Sequence, residues 1–285
     1  DMPYLKMDIP FKTIDYLDKN ISVANKYNFL TFAENNYKPA KVTYEDKTFN
    51  VQVRLKGLTN YHRIGNKKSL RVRLKKDSSE LTPSIMGFSD FNLMDPRRRW
   101  NEKEWLFRKV ASKENLLERR YNFVKVKVNG DKSGIYSIEE NFAKEFFEYN
   151  KVKPAPILSL DSDKLFSLSS FTQCCGHNYL NDYMFSPVQS KNQIYENENY
   201  NNQYNYAKKS LADALSKKLP IGQILNLDKF GRFLALSDVF GGWHGSELTN
   251  LKLYFNPYTK LIEPIPDDMY DEARDKHTRD FALFR

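Results

Sequence analysis

Apolar and polar residues alternate along several short stretches in the first half of the chain. Three early examples are 40–44, 48–55 and 70–74. A fourth covers 121–128, where three valines share one face, and an Asn-Gly pair after it signals a tight turn into 134–140. Such alternation is typical of half-buried antiparallel strands, so these stretches predict an antiparallel sheet.

Other stretches repeat their apolar residues at helical intervals. This spacing predicts a short helix near residue 14 and an amphipathic helix over 102–117. Further helices are expected at 141–148, at 207–219 and from Asp228, which is a candidate N-cap. The segment 192–206 is crowded with Asn and Tyr, and we expect it to be a surface excursion.

The order of these elements predicts an α+β protein rather than a doubly wound sheet. Strands come first, and a helix, a hairpin and another helix follow. Residues 153–156 read Lys-Pro-Ala-Pro and predict a linker or hinge. We therefore expect an N-terminal lobe at 1–150 and a C-terminal lobe at 151–285, the latter a fragment or a compact variant.

The stretch from 238 to 272 has polar groups at both ends of a predicted hairpin. Residues 251–255 alternate, an Asn-Pro pair marks a turn, and a second short strand at 261–262 leads into Asp267 and Asp268. Neighbouring strands lie about 4.8 Å apart, so Asn250 and Asp268 are expected to be close although they are distant in sequence. An amide oxygen and a carboxylate suit a hard cation such as Mg²⁺.

Composition places the chain among folded proteins with excess positive charge. Hydrophobic residues make up 40%, enough for a sizeable core. A formal net charge of +9 favours a polyanionic partner, although the same charges fit solvated helices. Nucleic acid is the least favoured partner, because no recognition motif accompanies the charge. Cys174 and Cys175 are adjacent and predict neither a disulfide framework nor a zinc site, and no apolar window predicts a membrane span.

A basic loop with two glycines covers 56–68 and ends in Lys67 and Lys68. Glycine permits close backbone approach and lysine supplies positive charge, so this loop is a candidate phosphate-holding element. The same composition is also typical of a solvated hairpin loop, and both interpretations remain open.

Seven motifs occur in the order seen in one family. They are 39–43 (PAKVT), 53–57 (VRLKG), 67–74 (KKSLRVRL), 126–130 (VKVNG), 134–140 (GIYSIEE), 250–254 (NLKLY) and 263–268 (EPIPDD). With these motifs the chain resembles the CotH-type kinases, atypical protein-kinase-like proteins named after a bacterial spore-coat component. Their joint order spans almost the whole chain.

The resemblance implies a two-lobed, kinase-like fold and an ATP-dependent protein kinase that phosphorylates Ser or Thr. It implies ATP and Mg²⁺ as cofactors, with Mn²⁺ as an alternative metal. Asn250 and Asp268 fall on the family's metal-binding residues, and Asp268 is expected to act in catalysis. Lys68 falls on the phosphate-contacting lysine, with Glu104 as its expected helix partner and Glu114 as the second choice.

The resemblance leaves the choice of phosphate ligand open. Arg71 and Arg73 compete with Lys68 for this role, because the strand face that turns toward the nucleotide is undetermined. Glu140 is expected near the sugar of the nucleotide. The spore-coat and secreted relatives favour an extracellular or cell-envelope location.

One departure from the family concerns the catalytic aspartate. The family places it about five residues before the metal-binding Asn, where this chain has Gly245. His244 is a candidate replacement as a general base, Glu247 is a second neighbour, and Asp238 is a more distant alternative. The alternative is a catalytically weak or inactive kinase-like surface module that binds an anionic partner, and a structural role for His244 as a loop hydrogen-bonding residue also stays open.

Overall fold

The computed structural model describes residues 2–27, 30, 36–57, 67–75, 83–131, 134–160, 185–189, 191–247 and 250–269. The described chain mixes helices and strands, and it divides into two compact units. The first unit comprises Asp1–Trp105 and Arg120–Glu145, and the second comprises Leu106–Arg119 and Phe146–Arg285. Most of the predicted basic loop and both cysteines lie outside the described residues.

Among the described residues, seven strands of the first unit close into a barrel in the order β1-β2-β3-β4-β5-β7-β6. These strands are β1 (Tyr4–Asp8), β2 (Lys38–Tyr44), β3 (Lys47–Leu55), β4 (Leu70–Leu74), β5 (Asp90–Met94), β6 (Tyr121–Val128) and β7 (Gly134–Glu140). The pair β1 and β6 is parallel, and the other neighbours are antiparallel.

The barrel forms because alternate strand residues share one apolar face. In β3 and β4, Val53 lies opposite Val72, and both are fully buried. Leu5 of β1 and Phe91 of β5 belong to the same core. Burying one such side chain stabilises the fold by about 1.5–3 kcal/mol, so the inward face specifies the register. Helix α1 (Phe11–Tyr27) packs its apolar stripe against this core.

The second unit combines helices with a small sheet of order β11-β10-β8-β9. Its strands are β8 (Ile157–Leu160), β9 (Phe185–Pro187), β10 (Lys252–Phe255) and β11 (Ile262–Ile265). The remaining helices, in chain order, are α2 (Glu102–Lys113), α3 (Lys144–Tyr149), α4 (Lys191–Tyr195), α5 (Glu198–Leu215) and α6 (Leu227–Phe240). Phe230 and Phe233 of α6 pack in one core with Leu253 of β10.

The structure confirms the mixed α+β class and the predicted strands of the first half. The closed barrel, however, differs from the sheet of an ordinary two-lobed kinase. The physical reason is β1, whose parallel pairing with β6 and antiparallel pairing with β2 joins the two sheet edges. The second unit also contains residues 106–119, which the sequence assigned to the N-terminal lobe.

Two expectations about helices need correction. Most described residues of 192–206 are exposed, as expected, but the segment is helical over most of its length, in α4 and α5, and the helix does not begin only at 207. Asn197 caps α5 by accepting a hydrogen bond from the Tyr200 amide at 3.1 Å. Helix α6 begins before Asp228, and its N-cap is Asn226, which accepts from the Lys229 amide. None of the described helices has the length and apolar character needed to cross a bilayer.

Candidate active site

The loop after α6 approaches the segment after β11 closely because two of its residues lack a side chain. A Cβ atom on Gly245 would lie 1.9 Å from the Asp267 carbonyl oxygen, and one on Gly242 would lie 2.9 Å from Met269 Cβ. A Cβ atom does not approach other heavy atoms this closely, so residue 245 has no room for any side chain. An aspartate at this position is therefore incompatible with the structure.

This close approach brings three predicted site residues together in the second unit. His244 Nε2 lies 3.3 Å from Asn250 Nδ2 and 4.0 Å from Asp268 Oδ2. The β10–β11 register, in which Lys252 faces Ile265, puts the amide and the carboxylate at the same end of the hairpin. The His244 and Asp268 side chains are 28% and 23% exposed, so solvent and ligands reach them. Glu247 Oε2 lies 3.6 Å from His244 Nδ1.

The neighbouring carboxylate, Asp267, has a different environment. Arg108 Nη2 donates to Asp267 Oδ1 at 2.7 Å, and Arg119 Nη1 donates to Oδ2 at 2.6 Å. All three side chains are at most 6% exposed. A carboxylate paired with two buried guanidinium groups is held by these ion pairs and is less available to bind a metal ion. Asp268 is therefore the better metal-ligand candidate of the pair.

The outer side of the barrel carries Arg71 and Arg73, both predicted as phosphate ligands. Arg71 binds Asp90 through two hydrogen bonds at 2.9 and 2.8 Å, and Arg73 Nε donates to the same carboxylate at 3.1 Å. Burial alone would raise the pKa of Asp90, but the charge and hydrogen bonds of Arg71, and then those of Arg73, hold it below its ordinary value.

A buried polar network continues from this cluster and was missed by the sequence analysis. Asn141 Nδ2 donates to Asp90 at 2.7 Å, and Asn92 Nδ2 donates to Glu139 at 2.9 Å. Lys56 Nζ donates to Glu139 Oε1 at 3.0 Å, and the Glu139 side chain is fully buried. Asp90, Asn92 and Glu139 are polar residues within strands, a pattern that is normally interpreted as a solvated face, and Lys56 and Asn141 directly follow β3 and β7. Their burial carried no local sequence signal.

The other predicted nucleotide-binding residues lie at separate places in the first unit. Lys68 pairs with Asp18 of α1, so its observed helix carboxylate comes from α1 rather than α2. Glu140 binds Arg120, whose Nε donates at 3.1 Å, at the opposite end of β7 from Gly134. Glu104 is buried in the first turn of α2. The second choice, Glu114, pairs with Arg232 at 3.7 Å in the second unit.

The donor set of the candidate site fits magnesium bound together with phosphate. Asn250 and Asp268 offer one amide oxygen and one carboxylate, which are hard oxygen ligands. Among the described residues, no group of three or more His, Cys, Asp or Glu is arranged to hold a metal by itself. Mg²⁺ commonly binds through one or two carboxylates, with substrate phosphates completing its coordination. The residues therefore fit a metal that arrives with a nucleotide.

Comparison with known protein families agrees with the motif pattern. The family model described as "CotH kinase protein" matches residues 53–281, most of the chain and the whole of the candidate site. The comparison with curated proteins gave no match. The family description is kinase-like, in keeping with a phosphotransferase. On this extent of match, the chain belongs to the CotH kinase protein family.

Proposed function

We propose that this protein is an ATP-dependent kinase that transfers the γ-phosphate to a Ser or Thr hydroxyl of a protein. The observation that carries the proposal is the convergence of His244, Asn250 and Asp268 around one imidazole nitrogen. Phosphoryl transfer depends mainly on positioning and charge neutralisation, and an amide and a carboxylate at one hairpin end are the ligands that such a site needs.

In this proposal Asn250 and Asp268 would hold Mg²⁺, or Mn²⁺, together with ATP. The bound metal would neutralise negative charge on the phosphates during transfer. Asp267 stays with Arg108 and Arg119 and fixes the backbone that carries Asp268.

His244 takes the role that an aspartate has in related sequences. Gly245 cannot carry a side chain here, and the imidazole of the preceding residue lies beside both proposed metal ligands. We assign His244 to orienting the acceptor hydroxyl and receiving its proton.

The proposed phosphate contacts come from the basic side chains of the first unit. Lys68, Arg71 and Arg73 keep the role expected from the resemblance, and Lys56 joins them because its buried pair with Glu139 is of the lysine–glutamate type used by kinases. Glu104 and Glu140 stay assigned to the nucleotide site, Glu140 to its sugar.

The kinase-like, two-lobed organisation is part of this proposal. Residues 1–150 would act as the nucleotide-binding lobe and residues 151–285 as the metal-binding and catalytic lobe. The acceptor is a protein rather than a nucleic acid, and an extracellular or cell-envelope location follows from the spore-coat namesake of the family.

Nucleotide binding and phosphate transfer test the proposal directly. We expect titration calorimetry to detect ATP binding that requires Mg²⁺, and labelled ATP to phosphorylate a Ser- and Thr-containing protein. Asn250→Ala and Asp268→Ala should each lower transfer by roughly a hundredfold, because each removes a group that stabilises the transition state. Asp228→Ala is the matched control, since its carboxylate is 69% exposed in the same unit and pairs with Arg232 on the surface. Equal ATP binding by the parent and Asp268→Ala would refute the assignment.

A second candidate function is a kinase-like surface or adhesion module without catalysis. The observation that favours it is Gly245, because the usual catalytic aspartate is sterically impossible there. Such a module would bind an anionic partner through its basic side chains and transfer no phosphate. Incorporation of label that disappears in Asn250→Ala would exclude the module.

A further inference from the structure

One end of the barrel opens into a pocket of about 500 Å³ that belongs entirely to the first unit. At this end β1 and β6 finish, and β4 and β7 begin. Of the residues that line this pocket, the proposed function uses only Lys68. Small-molecule binding sites are common at the mouths of β-barrels, and such sites typically have a volume of this size.

The floor of the pocket is apolar and comes from four different strands. Met7, Leu70, Leu93 and Val126 line it, and none of them is more than 5% exposed. They belong to the barrel core, and packing against the rest of that core sets their positions. This floor offers a preformed surface for the apolar part of a ligand.

Two hydrogen-bond donors lie above this floor. Lys67 Nζ donates to the Ile135 carbonyl at 2.8 Å and lies 5.4 Å from the centre of the Tyr136 ring. An ammonium group has three donors, and Lys67 forms no salt bridge with another described residue. The Tyr136 hydroxyl makes no hydrogen bond within the described part of the chain. Burial, and then the charge of Asp95, raise the pKa of Tyr136, so its hydroxyl is protonated at neutral pH.

The other charges around the pocket limit the charge of the ligand. Lys68 is paired with Asp18, and the exposed Asp131 also lines the opening. Asp95 acts on Lys67 from a distance and is itself paired with Arg97. Among the described residues of the pocket, one ammonium group is therefore available beside the carboxylate of Asp131. This balance suits a ligand with a single negative charge.

We propose that the barrel mouth binds an amphipathic organic carboxylate. Its apolar chain lies on the floor formed by Met7, Leu70, Leu93 and Val126. Its carboxylate accepts hydrogen bonds from Lys67 Nζ and from the Tyr136 hydroxyl. The site needs neither a metal nor a nucleotide, so it can be tested independently of the proposed kinase activity.

Calorimetric titration of the whole chain with decanoate tests this site, with acetate and decanol as matched probes. Decanoate should bind, acetate should not, and decanol should bind about tenfold more weakly than decanoate, because a hydrogen bond to a charged group contributes more than a neutral one. Lys67→Gln should weaken decanoate binding about tenfold, and Tyr136→Phe severalfold. Asp131→Asn should strengthen it, since a like charge is removed.

Two control variants make the result decisive. Lys75→Gln removes an exposed lysine just beyond the far end of β4 and should leave decanoate binding unchanged. Asp268→Ala should also bind decanoate as the parent does, which separates this site from the proposed kinase site. The proposal is overturned if decanoate does not bind, if decanol binds equally well, or if Lys67→Gln and Tyr136→Phe bind like the parent.

Discussion

At the scale of single residues, the candidate site depends on a position that has no side chain. Gly245 lies so close to the Asp267 carbonyl that a methyl group would overlap it. The same contact holds His244 beside Asp268. A residue that takes no part in the chemistry thus sets the geometry of residues that do.

Gly245→Ala tests this dependence. We expect it to destabilise the protein by about 1–3 kcal/mol, because the added methyl forces the backbone of residue 267 to move. It should also weaken magnesium-dependent ATP binding. Urea unfolding and calorimetry measure the two effects.

Gly231→Ala is the matched control, because a Cβ atom there meets nothing within 4 Å. It lies inside α6, where alanine is favoured over glycine, so the protein should gain about 0.5–1 kcal/mol. Equal stability of the two alanine variants would contradict the close approach at Gly245.

Asp267 and Asp268 show how adjacent, identical side chains acquire different roles. Asp267 is enclosed by Arg108 and Arg119, whereas Asp268 keeps partial exposure beside His244. The left-handed backbone of Asp268, with φ of 54°, turns the chain between them. The sequence Asp-Asp by itself contains no information about this division.

At the scale of elements, buried charges join strands and helices that apolar patterns alone would leave unlinked. Asp90 at the start of β5 binds Arg71 and Arg73 of β4. In α2 the buried face contains Glu104 and Arg108 together with Phe107 and Ala111, so its inward side is partly polar. The apolar side chains of Trp105 and Leu106 in the same helix are exposed.

Asp90→Asn tests the link between β4 and β5. Removing the carboxylate leaves two guanidinium groups without their shared anion, which should cost about 3–5 kcal/mol at neutral pH. The folded state lowers the pKa of Asp90, so its stabilising effect is complete above the ordinary value of 3.8 and is lost as the pH falls below it.

The difference in unfolding free energy between parent and variant should therefore be constant from pH 7 to about pH 5 and shrink below about pH 4. Urea unfolding across this range measures it. A difference that stayed unchanged down to pH 3 would show that the carboxylate charge has no part in the link.

At the scale of the whole molecule, the barrel is closed by a strand that the family model does not cover. The match begins at residue 53, so β1, α1 and β2 precede it. β1 pairs with both β2 and β6, and without it each of these strands would have an unpaired edge. The closure therefore depends on β1, in the N-terminal segment.

Leu5→Ala tests the contribution of β1. Leu5 is fully buried in the barrel core, and its truncation should cost about 2–5 kcal/mol in the free energy of unfolding. Val23→Ala on α1, where the side chain is 58% exposed, should change it by less than about 0.5 kcal/mol. If Leu5→Ala were as mild as Val23→Ala, β1 would not be an integral part of the barrel.

The strands of the first half and the family could be predicted from the sequence alone. The boundaries of β6 and β7 agree with prediction residue by residue, because alternation and an Asn-Gly turn are local signals. The ordered motifs, including those that contain Asn250 and Asp268, indicated the same family as the match to the family model. Such features depend on neighbours in sequence, so the chain itself specifies them.

Tertiary structure alone decided the barrel closure, the buried network of Lys56, Asn92 and Glu139, and the environments of the two adjacent aspartates. It also decided that residue 245 has no room for a side chain. Each of these depends on contacts between residues far apart in sequence. Burial and close approach are properties of the space around a side chain, and no periodicity of apolar and polar residues encodes them.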